Sequence, residues 1–141
     1  EEMTRFNISL QDGVNMVMYA LENHLGGEIF VPKIPSYKIL DVAKAIAPEC
    51  RTEIVGIRPG EKLHEEMITD TDSLNTIDLG IYYAILPSVS IAYTQEDFMK
   101  HHKALNVPFG FRYSSVTNTQ WETVDSLRKL IAKHINQDFA L

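Results

Sequence analysis

The sequence has a single cysteine, Cys50, which excludes an intramolecular disulfide and leaves no cysteine cluster for zinc. A lone thiol fits a reducing, cytoplasmic setting. No apolar run approaches the ~20 residues needed to span a bilayer, and no signal-peptide pattern is visible. Basic residues are outnumbered, with 13 Lys and Arg against 19 Asp and Glu and a net charge of −6. A broad basic surface for nucleic acid or anionic membrane is therefore excluded. A small phosphate ligand is not, because one or two well-placed basic groups hold a diphosphate.

Several catalytic and metal patterns are also missing. There is no G-x-G-x-x-G or G-x-x-G-x-x-G run, so no dinucleotide-binding turn is encoded. His64-Glu65-Glu66-Met67-Ile68 lacks the second histidine of a zinc-protease helix, and His64 reads as a residue on a helix surface. His101-His102, flanked by Lys100 and Lys103, reads as a solvated basic helix face rather than a metal site. Asp70-Thr71-Asp72 begins like a calcium loop but lacks its glycine and distal glutamate. Asn7-Ile8-Ser9 matches a glycosylation sequon, which has no use in a chain without a secretion signal.

What is present is an apolar fraction of 45%, with six Tyr and six Phe, enough for a packed core. The 141 residues suit one modest domain, and the opening at Glu1 suggests a piece of a longer protein. Ser9 is a candidate helix cap, followed by Leu10, Val14, Val17 and Leu21 at helical spacing and stopped by Gly26-Gly27. Glu28 to Val31 is a short β-prone stretch. Pro35-Ser36 is expected to open a second helix with Ile39, Ala43 and Ile46 as its stripe. Arg51 to Ile57 alternates like a strand, Pro59-Gly60 marks a turn, and Lys62 to Ile68 is expected as a short helix. Tyr82 to Leu86 suits a strand, and Glu96 to Leu105 a short helix. Thr119 and Glu122 form a candidate capping box for a last helix carrying Val124, Leu127, Ile131 and Ile135. This alternation indicates an α/β chain with too few strands for a complete parallel sheet.

The stretch Gly56-Ile57-Arg58-Pro59-Gly60-Glu61-Lys62-Leu63-His64-Glu65 carries the most chemical information. A strand ending at Arg58, a sharp turn, and a helix beginning near Glu61 would place a guanidinium beside free helix N–H groups. Both favour phosphate. Glu61, three residues on, could accept hydrogen bonds from a ribose diol. The same residues have a plain reading: a solvated arginine, and a glutamate serving a helix dipole.

Arg58-Pro59-Gly60-Glu61-Lys62-Leu63-His64-Glu65 resembles a signature of extended short-chain dehydrogenase/reductases acting on UDP-sugars. Met3-Thr4-Arg5-Phe6 and Gly27-Glu28-Ile29-Phe30-Val31-Pro32-Lys33-Ile34-Pro35-Ser36 are similar to two further blocks of that group. Together with Tyr82-Tyr83-Ala84-Ile85-Leu86-Pro87 and Thr119-Gln120-Trp121, they most resemble the inverting UDP-N-acetylglucosamine 4,6-dehydratases of pseudaminic acid biosynthesis. The resemblance runs from Met3 to about Leu130. It implies the C-terminal, substrate-binding portion of a Rossmann-type fold, with residues 1–141 as one UDP-sugar-binding domain. It assigns Arg58 to a phosphate of UDP, Glu61 to the ribose and Arg5 to the nucleotide. Taken alone, Arg5 reads as a surface residue beside a strand. Lys33 is rather structural than ligand-binding, and Asn7 stands where some relatives carry an aromatic.

The resemblance also implies parts this chain lacks. The family uses a Tyr-x-x-x-Lys pair and a Thr-Asp-Lys run. None of the tyrosines at 19, 37, 82, 83, 93 and 113 has lysine four residues later, and no Thr-Asp-Lys occurs. No catalytic residue is therefore expected in this chain, and NADP is expected to be held elsewhere in a full-length, homo-oligomeric lyase. Two other readings stay open: a retaining UDP-sugar dehydratase or epimerase of capsule polysaccharide synthesis, and a non-catalytic nucleotide-sugar-binding or assembly domain.

Overall fold

The computed structural model describes residues 2–89, 92–136, 138 and 139. The chain is mixed α/β, with short strands and four α-helices among the described residues. It forms two compact units that interleave in sequence. The first comprises Glu1–Ser9, Ile34–Glu65 and Ser114–Leu141, the second Leu10–Lys33 and Glu66–Tyr113.

In the first unit, β1 (Thr4–Phe6) pairs antiparallel with β3 (Ser36–Lys38), so that Arg5 faces Tyr37. The helix expected from Pro35-Ser36 starts later, as α2 (Ile39–Ile46). Ser36 is committed to extended backbone: its N–H donates to Gln120 O at 2.9 Å, and its carbonyl accepts from Glu122 N at 2.7 Å. The buried residue of α2 is Ala45, one place off the expected stripe, while Ile46 remains exposed. α2 packs on α4 (Val124–His134), whose Leu127 is buried, and Arg128 Nη1 donates to Ala45 O at 2.9 Å. The cap of α4 is Thr123 rather than Thr119. Its hydroxyl accepts from Ser126 N at 3.2 Å, and Ser126 Oγ accepts from Thr123 N at 2.8 Å. The bond from Glu122 N to Ser36 holds the backbone extended up to that point. Arg51 to Ile57, expected as a strand, has no regular structure and is exposed throughout. Its alternation is real, but a strand requires a partner, and none pairs with it among the described residues.

In the second unit, β2 (Ile29–Pro32), β5 (Thr76–Asp78), β6 (Tyr82–Ile85) and β7 (Leu105–Asn106) form an antiparallel sheet in the order β2-β6-β5-β7. Ile77, Ala84, Leu86 and Phe98 make its core, with Phe30, Leu79 and Tyr93 packed around them. Each large apolar side chain fully buried there stabilises by about 1.5–3 kcal/mol. Phe98 comes from α3 (Gln95–His102), where Thr94 and Asp97 form a reciprocal capping box and Lys103 ends the helix with φ 52°. The helix α1 (Leu10–Asn23) has no buried residue, and its stripe of Leu10, Val14, Val17 and Leu21 is exposed. It meets the sheet through Tyr19, edge-on to Phe30 with ring centroids 5.8 Å apart and tilted against Tyr82 at 4.7 Å. The helix expected over Lys62 to Ile68 is absent. Glu66–Ile68 is instead a strand, β4, in a two-stranded sheet with β8 (Tyr113–Ser114). No helix among the described residues is long and apolar enough to cross a membrane.

Candidate functional site

The turn that carries Arg58 is built locally. Glu61 N donates to Arg58 O at 3.0 Å, closing a four-residue turn with Pro59 and Gly60 in the middle. Gly60 has φ 81°, which a side chain would strain, and proline before it is pre-set for the preceding position. The Glu61 carboxylate then folds back, and its Oε2 accepts from Arg58 N at 3.2 Å. This clasp replaces the expected helix start. The helix N-terminus that sequence reasoning placed beside Arg58 does not exist, because the following backbone is drawn into contact with β1 instead. Thr4 N donates to Leu63 O at 3.1 Å.

Arg5 joins the two pieces. Its Nη1 donates to Thr4 O at 2.7 Å and to Leu63 O at 3.3 Å. Its Nε lies 3.3 Å from Glu65 Oε1, and its Nη2 lies 3.7 Å from Glu61 Oε1. Three of the singled-out positions, Arg5, Glu61 and Glu65, thus meet in one ionic cluster. Arg5 is the better shielded of them, its side chain 18% exposed. The guanidinium acts as a brace: its donors are spent on carbonyls and carboxylates that fix the turn. Arg58 differs. It is exposed, and among the described residues no ion pair engages its side chain. Its guanidinium remains available at this turn.

Behind the ionic cluster lies a polar layer that the sequence did not reveal. The hydroxyl of Thr4 is 2.8 Å from His64 Nδ1 and 2.7 Å from Ser115 Oγ, and Ser115 Oγ accepts from Glu65 N at 2.9 Å. Thr4 and Ser115 are buried. His64 is therefore not a helix-surface residue. Residues 60 and 111 positions from Thr4 meet it here, a distance over which no periodicity gives a signal.

Lys33, in the second unit, is held by Asp78 at 2.6 Å and sits 4.4 Å from the centre of the Tyr83 ring. Burial, with the Asp78 carboxylate and Tyr113 adding to it, pushes the Tyr83 hydroxyl above its ordinary range. The rings of His101 and His102 meet edge-on with centroids 4.7 Å apart, yet no group of three or more His, Cys, Asp or Glu among the described residues is placed to hold a metal.

A mixed α/β chain with an arginine-bearing turn braced against a strand is the class these observations define. Residues 1–87 match the family described as polysaccharide biosynthesis protein, and the chain belongs to that family. It is 48% identical over 132 residues to the UDP-N-acetylglucosamine 4,6-dehydratase (inverting) of Campylobacter jejuni subsp. jejuni serotype O:23/36, across 92% of this chain and 40% of that protein. It is 41% identical over 87 residues to a UDP-glucose 4-epimerase of Rickettsia canadensis, across 59% of this chain and 26% of the relative. The X-ray structure of Pen from Bacillus thuringiensis is similar with a TM-score of 0.74 at 26% identity, covering 99% of this chain and 40% of that one. The chain thus spans about two fifths of the length of the Campylobacter and Bacillus proteins.

Proposed function

We propose that this chain is the nucleotide-sugar-binding part of a UDP-N-acetylglucosamine 4,6-dehydratase, the C-terminal portion of an extended short-chain dehydrogenase/reductase fold. In this reading the whole protein is a cytoplasmic, homo-oligomeric lyase. It oxidises C4 of the sugar, removes water across C5–C6 and inverts C5, toward pseudaminic acid for surface glycans. The single observation that carries the reading is the Arg58 turn. An unpaired, exposed guanidinium stands on a glycine-dependent turn whose Glu61 is fixed by its own backbone clasp and by Arg5. A planar guanidinium suits a diphosphate through paired hydrogen bonds, and a fixed carboxylate suits a ribose diol. The 48% identity to an inverting dehydratase across 92% of the chain supports the same assignment.

The redox cofactor of such an enzyme is NADP, which would accept the hydride from C4 and return it to C6. The residues of this chain do not fit it. Their glycine pair, Gly26-Gly27, follows the helix α1 and leads into β2, the reverse of the strand–turn–helix order that cradles a dinucleotide pyrophosphate. Arg58 and Glu61 are accordingly assigned to the substrate, Arg5 to bracing the turn that presents them, and no catalytic residue is assigned to this chain.

Calorimetric titration of UDP into the wild-type chain and its Arg58→Ala variant tests the proposal. Loss of a charge-assisted contact should cost about 1.5–3 kcal/mol, or roughly 10- to 100-fold in Kd. Equal affinity of the two proteins would remove the turn from the nucleotide.

A further inference from the structure

We propose that Thr4, His64 and Ser115 are positioning residues for nucleotide binding: their hydrogen-bonded trio, with both hydroxyls buried, sets the place of the Arg58–Glu65 segment on β1. The proposal rests on the nucleotide reading of that segment and adds residues which none of the sequence motifs assigned to the ligand.

The geometry is directional. Successive residues of a strand point to opposite faces, so Thr4 turns inward while Arg5 turns toward the ionic cluster. The two side chains grip one short run from two sides. Arg5 holds Glu61, Leu63 O and Glu65. Thr4 holds His64, and through Ser115 the backbone N–H of Glu65. With His64 Nδ1 as acceptor, the bonds run head to tail from Glu65 N–H to Ser115, from Ser115 to Thr4, and from Thr4 to His64. Each hydroxyl then gives its one proton and accepts one.

Burial makes this arrangement selective. Ser115 is fully buried and Thr4 is 3% exposed, so any slide of the segment along β1 would leave a hydroxyl without a partner in a site water does not reach. Among the described residues nothing comparable fixes the other side of the turn, where Arg51 to Ile57 is exposed and irregular. The register of Arg58 and Glu61 is therefore set from the Glu65 end.

The test is UDP affinity of the chain by calorimetry, with thermal unfolding measured beside it. Thr4→Val keeps the shape of the side chain and removes the hydroxyl, and Thr4→Ser restores it. We expect Thr4→Val to weaken UDP about tenfold, and Thr4→Ser to stay within about threefold of wild type. Ser115→Ala should follow Thr4→Val and supplies the same answer if the valine variant does not fold. Ser73→Ala is the control. It removes a buried hydroxyl that donates to Asp70 O at 2.5 Å and accepts from Gly110 N at 3.1 Å in the second unit. It should lower the unfolding temperature without changing Kd. If Arg58→Ala loses UDP while Thr4→Val and Ser115→Ala bind it as wild type does, the positioning role is wrong and the nucleotide reading stands. The positioning role also fails if Ser73→Ala weakens UDP as much as Thr4→Val, because the effect is then one of general stability. If wild type does not bind UDP, both proposals fall.

Discussion

Lys33 Nζ lies 2.6 Å from Asp78 Oδ1 and 4.4 Å above the centre of the Tyr83 ring, so one ammonium joins the end of β2 to β5 and β6. Both charged side chains are partly exposed, and solvent screens them. A double-mutant cycle with Lys33→Met and Asp78→Asn should give a coupling energy of about 0.2–1 kcal/mol in urea unfolding. Tyr83→Leu should lose a further contribution of about 0.5–1 kcal/mol from the cation–π contact. Coupling of zero would show that the two side chains are neighbours with no energetic link.

Conservative changes at the turn separate geometry from charge. Arg58→Lys should recover only part of the UDP affinity lost in Arg58→Ala, because an ammonium cannot make the paired fork contact. Glu61→Gln should cost less than Arg58→Ala, since an amide oxygen still accepts a hydrogen bond. In the full-length dehydratase proposed above, these losses should fall mainly on KM. The UDP end is remote from C4–C6, and its binding is largely uniform between ground and transition states. A fall in kcat with KM unchanged would contradict that division.

The second unit should lose stability in two steps as pH falls. Burial, reinforced by neighbouring His101, holds His102 below its ordinary 6.5, despite opposing effects of Glu28 and the Asn23 backbone. Its neutral form is therefore favoured by folding. That stability is complete above pH 6.5 and is lost as pH falls through the lower folded value. Burial raises the Glu28 carboxyl, but hydrogen bonds from the backbone and from Tyr93 outweigh it and bring the group below its ordinary 4.5. Asp72 is brought below 3.8 chiefly by the Thr69 side chain and backbone. The stability these carboxylates give is present above their ordinary values and disappears as they protonate. Unfolding temperature followed from pH 8 to 3 should show both steps. His102→Gln should flatten the first and leave the second. A first step unchanged in that variant would assign it to another group.

The helices were the most legible part of the fold. The spacing of Leu10 to Leu21 gives α1, and that of Val124 to Ile131 gives α4, because helical periodicity is local. The Pro59-Gly60 turn was legible for the same reason. What failed depended on partners distant in sequence. Arg51 to Ile57 has the alternation of a strand and no strand beside it. Glu66–Ile68 pairs with β8, which overrides the helical reading of Lys62 to Ile68. The start of α4 shifts because Glu122 is bonded to Ser36. At the candidate site, Arg5, Arg58 and Glu61 were singled out through motifs, and the structure joins Arg5 to Glu61. Thr4 and Ser115 gave no signal, since a lone hydroxyl on a strand or in a loop resembles any other.

The trio around Thr4 also has a kinetic meaning. Its bonds close spans of 60 and 111 residues, whereas the turn at Arg58 closes a span of three. Loop-closure entropy must be met before such distant pairings return any stabilisation. The turn can therefore form early in a largely unfolded chain, while its final seating waits until Ser115 has arrived. The seating of Arg58 and Glu61 on β1 is then a late event in folding, and it certifies that the chain from Thr4 to Ser115 has been threaded correctly.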